Sequence, residues 1–198
     1  FYVHVLDGDG EGVQGANVVL YLTNGSYYTS ALTNASGQAE FINLPNTTYN
    51  IRVFYYGVQV SNLTDSLSTE DQTKAVNARI YDLIVHTTNE EGKPLANARV
   101  TLFWSNGTEI ESKLTNATGY VVFDNMPSTN YVIKGNLQWY EEQTKEITLT
   151  SEDQVETLTL KSVPFITTPM GIATIASVTI AGIIVTTIIL IKKGIIRK

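Results

Sequence analysis

The chain has 198 residues, no cysteine, 19 acidic residues and 13 Lys or Arg, with a net charge of −6. Without thiols, disulfide frameworks, thiolate catalysis, zinc-thiolate sites and blue-copper sites are excluded. The charge is uneven: all 19 acidic residues precede residue 162 together with nine basic ones, so that part carries 9 − 19 = −10 and makes a poor phosphate binder, which argues against nucleic acid.

The first stretch, "LDGDGEGVQGANVVL", spaces Asp7, Asp9 and Glu11 as the first half of a calcium loop, with Gly12 behind them. A cation there would use Asp7 or Asp9 with backbone carbonyls. The twelfth loop position is Val18, where a bidentate Glu belongs, and a strand pattern follows in place of a helix. A glycine-rich turn between strands is therefore the preferred reading. Next, Val18, Leu20 and Leu22 alternate with Asn17, Val19 and Tyr21, and Tyr49, Ile51 and Val53 alternate with Asn50 and Arg52. Period-two alternation of β-branched and aromatic residues predicts half-buried antiparallel strands. Asn24-Gly25, Ser36-Gly37 and Pro45-Asn46 supply the turns between them.

A shift of 82 residues superimposes the second half on the first without a gap. "LTNGS" (22–26) meets "WSNGT" (104–108), "LTNASG" (32–37) meets "LTNATG" (114–119), and "FINLP" (41–45) meets "FDNMP" (123–127). The period is too long for a solenoid unit and suits a small sandwich of about seven strands. Under the same shift Asp9 meets Glu91 and Glu11 meets Lys93, a poor cation ligand, so the second unit lacks the calcium pattern. His4 and His86 are equivalent by the repeat, lie in separate units, and read as strand residues and not as a metal pair. No nucleophile motif accompanies them. Glu90-Glu91 and Glu141-Glu142 read as solvated turn or strand residues. No enzyme, metal or cofactor is expected.

Six Asn begin N-x-[ST]: Asn24, Asn34, Asn46, Asn62, Asn106 and Asn116, against about three expected by chance in a chain with this Asn, Ser and Thr content. All six are predicted in turns or strand ends, and glycosylation is expected there; the competing account is Asx-turn chemistry at the same positions. Further on, residues 162–191 carry no charge, and 171–191 is a 21-residue apolar run. At 1.5 Å per residue it would span roughly 30 Å, the hydrocarbon thickness of a bilayer. The basic tail 192–198 places the C-terminus in the cytoplasm and the preceding units outside. Ala173, Ser177 and Ala181 form a small-residue row suited to helix packing. Phe1 opens directly in a strand pattern, so either a signal peptide has been removed or a longer chain precedes it.

The pattern G-x-x-x-x-x-A-x-V-x-L, then T-N-A-[ST]-G, F-x-N-[LM]-P and a Tyr-x-Ile strand resembles the carboxypeptidase regulatory-like domain, a transthyretin-like sandwich similar to the B-type repeats of collagen adhesins. The resemblance covers nearly all of both units and implies a stalk, spacer or docking module without catalysis. B-type repeats often carry a Lys–Asn isopeptide bond from the first strand. Neither "FYVHVLD" nor "YDLIVHTT" contains a Lys, so that crosslink is not expected. No LPxTG-type sorting signal precedes the apolar run.

The expected architecture is all-β: two tandem seven-stranded Ig-like (prealbumin-like) β-sandwiches at 1–80 and 81–162, a neck at 163–170, one transmembrane α-helix at 171–191 and a cytoplasmic tail at 192–198. The expected function is a non-catalytic, N-glycosylated, single-pass cell-surface stalk, spacer or adhesion module, its partners being membrane lipid, N-glycans and other envelope or membrane proteins. No cysteine, dense sequons and one C-terminal anchor together suggest an archaeal envelope protein. The alternative is an accessory single-span subunit whose sandwiches cap a membrane enzyme or transporter.

Overall fold

The computed structural model describes residues 1–67, 72–151 and 154–164. The expected transmembrane helix, its row Ala173, Ser177 and Ala181, the basic tail and most of the neck lie outside these residues. No helix among the described residues is long and apolar enough to cross a membrane.

Fourteen strands among the described residues make two equivalent sandwiches. The first unit holds β1 (Tyr2–Leu6), β2 (Asn17–Leu22), β3 (Tyr27–Leu32), β4 (Gln38–Glu40), β5 (Thr48–Tyr55), β6 (Val58–Ser66) and β7 (Thr73–Asn77). The second holds β8 (Ile80–Thr88), β9 (Arg99–Trp104), β10 (Glu109–Leu114), β11 (Tyr120–Pro127), β12 (Asn130–Asn136), β13 (Gln143–Thr148) and β14 (Gln154–Thr159). In each unit a four-stranded sheet (β3-β2-β5-β6; β10-β9-β12-β13) faces a three-stranded one (β4-β1-β7; β11-β8-β14). The last strand of each unit lies parallel to its first, Val5 opposite Val76 and Val85 opposite Glu156. All other pairings are antiparallel.

Alternation builds the two cores. Val3, Val5, Val18, Leu20, Ile51 and Val53 are buried in the first, and Leu83, Val85, Val100, Leu102, Tyr131 and Ile133 in the second. Each such side chain removes apolar surface from water, worth about 1.5–3 kcal/mol when fully buried. The inward positions of the first strands are thus filled by aliphatic side chains. Tyr49 and Tyr131 reach through the core to donate from their hydroxyls to the C=O of Pro45 (3.1 Å) and Pro127 (2.6 Å), satisfying the one polar atom each ring carries inward.

Two buried threonines repeat in the same way. Thr33 Oγ1 accepts from Ala16 N–H (2.8 Å) and donates to Val13 C=O (2.6 Å), while Thr115 Oγ1 accepts from Ala98 N–H (2.9 Å) and donates to Leu95 C=O (2.6 Å). Each ties the loop before the second strand of its unit to the end of the third. The glycines that follow, Gly37 (φ 77°) and Gly119 (φ 79°), adopt left-handed backbone closely packed on the C=O of Val5 and Thr87. The motif T-N-A-[ST]-G is therefore a packing and hydrogen-bonding unit.

Candidate functional site

The calcium-like loop comes first. Asp7 Oδ1 accepts from the N–H groups of Asp9 (3.1 Å) and Glu11 (2.8 Å), and Asp7 N–H donates to Glu11 C=O (2.9 Å). In the second unit Asn89 Oδ1 accepts from Glu91 (3.1 Å) and Lys93 (2.8 Å), and Asn89 N–H donates to Lys93 C=O (2.9 Å). A neutral amide and a carboxylate perform the same task, so the oxygen at this position closes an Asx-type turn. No group of three His, Asp or Glu that could hold a metal ion occurs among the described residues.

The sequon asparagines divide by geometry. Asn24 and Asn106 accept on Oδ1 from Ser26 N–H (3.0 Å) and Thr108 N–H (2.9 Å) in the β2–β3 and β9–β10 turns. Asn34 Oδ1 accepts from Ser36 N–H, Ser36 Oγ and Gln38 N–H, each at 3.0 Å. Asn116 repeats this with Thr118 N–H (3.0 Å), Thr118 Oγ1 (2.9 Å) and Tyr120 N–H (2.9 Å). In these four the carbonyl oxygen is occupied by the turn, and Nδ2, the atom a glycan would use, belongs to an exposed residue. Asn46 is exposed in the loop before β5. Asn62 differs from expectation: it lies in the middle of β6, exposed, opposite Arg52 of β5. Its polar surroundings resemble a turn, but pairing along all of β5 holds them extended, since tertiary pairing outweighs intrinsic strand propensity.

His4 pairs with Gln38, and His86 stacks on its cross-strand neighbour Tyr120 at 4.1 Å and 6°. The two histidines stand on equivalent strands of different units. Glu142 pairs with Lys134 (3.1 Å), while Glu90 and Glu91 occupy an exposed turn. The phenols show the clearest departures in proton affinity. Burial, with Tyr56 beside it, pushes Tyr55 up to about 12, and burial raises Tyr131 well above the ordinary range. Groups so shifted stay neutral and serve no acid–base cycle at neutral pH.

The junction is a feature that the strand patterns do not reveal. β7 ends at Asn77 and β8 begins at Ile80, whose side chain is buried in the first core. Arg79 is held on both sides: its N–H donates to Val60 C=O (2.9 Å) and its Nη2 to Gln59 C=O (3.3 Å), while its own C=O accepts from Ser128 N–H (2.8 Å) of the second unit. Gly8 N–H donates to Ile80 C=O (2.9 Å). Tyr56, in the tight β5–β6 turn, packs against Trp104 at 6.1 Å, and Trp104 packs against the buried Tyr131 at 5.3 Å. The sequence signal for this contact is the Tyr56-Gly57 pair, which the equivalent turn of the second unit replaces by Gln138-Trp139.

The profile of the carboxypeptidase regulatory-like domain family matches residues 2–81 and again 84–161. No curated protein sequence matches the chain. Among solved structures, the chain is similar to the Bacillus anthracis TIE protein, with 19% identity over 81% of this chain and 33% of that one, at a TM-score of 0.40. It thus spans about a third of that protein. It is also similar to a minor pilin of Streptococcus agalactiae (18% identity, 82% and 96% coverage, TM-score 0.43). A third is the 5-hydroxyisourate hydrolase of Klebsiella pneumoniae (15% identity, 41% and 90% coverage, TM-score 0.35). A pilin and a hydrolase appear here alike, so the likeness says nothing of activity. The repeat, the shared turn chemistry and the two profile matches together make the chain a member of the carboxypeptidase regulatory-like domain family, carrying two of its domains in tandem.

Proposed function

We propose that this chain is a non-catalytic surface module in which two sandwiches form a short stalk that carries an adhesion or assembly surface away from a membrane. The observation that carries the reading is the junction. With Ile80 in the first core and Arg79 hydrogen-bonded to both units, no flexible linker separates the domains. A connection of this kind transmits orientation and suits a spacer, whereas a flexible tether would not. The apolar run 171–191 and the basic tail support anchoring by one span, with the sandwiches outside. The exposure of all six sequon asparagines supports N-glycosylation, and the cysteine-free, sequon-rich composition supports an archaeal envelope setting.

Translation of the chain behind a cleavable signal into glycosylation-competent microsomes tests this. The expected product resists alkaline extraction, shows protease protection of the sandwiches, and carries glycan mass on several of the six Asn. Extraction by alkali overturns the anchor, and unmodified Asn at all six positions overturns the glycoprotein reading. Because Asn34 and Asn116 hold their turns through Oδ1, the cleaner sequon knockouts are Ser36→Ala and Thr118→Ala. Stoichiometric recovery with a multi-span protein from mild detergent would replace the stalk by the accessory-subunit reading.

A further inference from the structure

The repeat allows each edge of one unit to be compared with its equivalent in the other. Each four-stranded sheet has two edge strands, as does each three-stranded sheet, giving eight. Seven of these carry at least one charged residue, the common means of blocking pairing with another chain. The exception is β3, "YYTSAL"; its equivalent β10, "EIESKL", carries Glu109, Glu111 and Lys113.

The gap beside this edge differs in the same sense. In the second unit Lys113 crosses from β10 to β11, donating to Val122 C=O (2.9 Å) and pairing with Asp124 (3.2 Å) and Glu111 (3.2 Å). In the first unit Ala31 and Ile42 stand where Lys113 and Asp124 do. β4 is only three residues long against eight for β11, and Ile42 is left 75% exposed. A groove of roughly 370 Å³ runs here, lined by Tyr28, Phe41, Ile42 and Leu44 together with Ser30 and Glu40. Tyr27 (61%) and Leu32 (67%) are exposed at the two ends of β3.

We propose that the β3 edge is a self-association surface, at which β3 of a second copy of this chain adds antiparallel and joins two four-stranded sheets into one of eight strands. Charge and register both select a second copy. Two bodies of net charge −10 repel, and β3 is the edge strand that brings no charge of its own to the contact, Glu40 in the adjoining groove being the carboxylate beside it. The strand is also self-complementary. Thr33 N–H bonds to Ala16 C=O, so by alternation the N–H and C=O of Ser30 and Leu32 point away from β2. In antiparallel self-pairing, residues directly opposite must share a face, so the two-fold axis must lie midway between the two copies of one residue. With the axis at Ser30, Ser30 exchanges both backbone bonds with its copy, Thr29 meets Ala31, and the exposed tyrosines come beside Leu32. This inference names a partner for the assembly reading, but its test does not depend on the anchor.

Sedimentation velocity of the full chain in mild detergent is expected to show a dimer, and Ser30→Lys, which faces two ammonium groups across the axis, is expected to halve the mass while leaving the thermal melt in place. The equivalent change in the other unit, Ser112→Lys, leaves the dimer. Because the chain has no cysteine, Ser30→Cys supplies a single thiol. A short bismaleimide should link it into a covalent dimer and should leave Ser112→Cys as monomer, a readout that survives if the Lys variant misfolds. A monomeric wild-type chain, equal crosslinking of the two Cys variants, or a dimer that Ser30→Lys leaves intact would overturn the proposal. The last result would assign association to another surface, the apolar run included, without touching the question of membrane insertion.

Discussion

Replacing Thr33 by Val changes almost no volume and removes one hydroxyl. That hydroxyl is buried, with Thr33 only 4% exposed, and serves both Ala16 N–H and Val13 C=O. A buried polar group left unpaired costs about 1–3 kcal/mol, so two orphaned groups should cost about 3 kcal/mol. Thr115→Val should cost less, about 2 kcal/mol, because Leu95 C=O keeps a second donor in Thr87 Oγ1 (3.2 Å) and only Ala98 N–H is orphaned. Urea unfolding resolves the two units, since both tryptophans, Trp104 and Trp139, lie in the second. With a slope of about 1 kcal/mol per molar for a domain of this size, Thr115→Val should lower the tryptophan midpoint by about 2 M. Thr33→Val should shift the far-UV circular dichroism transition of the first unit by about 3 M and leave the main tryptophan transition nearly in place, Trp104 sensing the first unit only through Tyr56. The reasoning is refuted if either change moves its midpoint by less than about 0.5 M, or if Thr115→Val proves the more damaging. Equal movement of the tryptophan signal by both would show that the two cores unfold as one.

Three further outcomes rest on other parts of the fold. Gly119→Ala should lower the stability of the second unit by about 3 kcal/mol, because a Cβ there would sit 2.7 Å from Thr87 C=O on left-handed backbone; Gly92→Ala, also at positive φ but facing open space, should cost about 1 kcal/mol in the same melt. Burial alone would raise the Glu156 carboxyl, but hydrogen bonds from Lys145 (2.7 Å) and Gln154 (2.9 Å) and the Lys145 charge outweigh it and hold the carboxyl below its ordinary range. A depressed folded-state value gives stability that is present above the unfolded value of about 4.3 and lost as pH falls through the folded one. Glu156→Gln should therefore flatten the acid limb of the pH–stability curve of the second unit, and an unchanged limb would refute the pairing. Tyr56→Ala should alter Trp104 emission and broaden the particle dimensions seen by small-angle scattering while both units stay folded; unchanged scattering would mean that the Arg79 and Ile80 contacts set the junction without Tyr56.

How much of this was legible in the chain follows from the range of each interaction. Alternation places Val18 and Leu20 inward because successive side chains on a strand point to opposite faces, a purely local rule. The repeat made the rest comparative: Glu11 against Lys93 argued for a turn from the sequence, and the hydrogen bonds agree. Asn62 reads locally as a turn residue, and only its pairing opposite Arg52, ten positions away on β5, makes it mid-strand. Val19 stands in an outward phase yet is 5% exposed, on the face where Arg52 lies over Tyr21 at 4.6 Å.

Sequence alone thus determined the all-β class, the two-unit division, the chemistry of the turns and the uneven charge, since these depend on residue type and spacing. The tertiary structure decided which edges are open, how Lys113 closes one unit and Ala31 leaves the other uncovered, and how Arg79, Tyr56 and Trp104 join them. Those features depend on residues brought together from distant strands. Their geometry is set by register and packing, which no local pattern encodes.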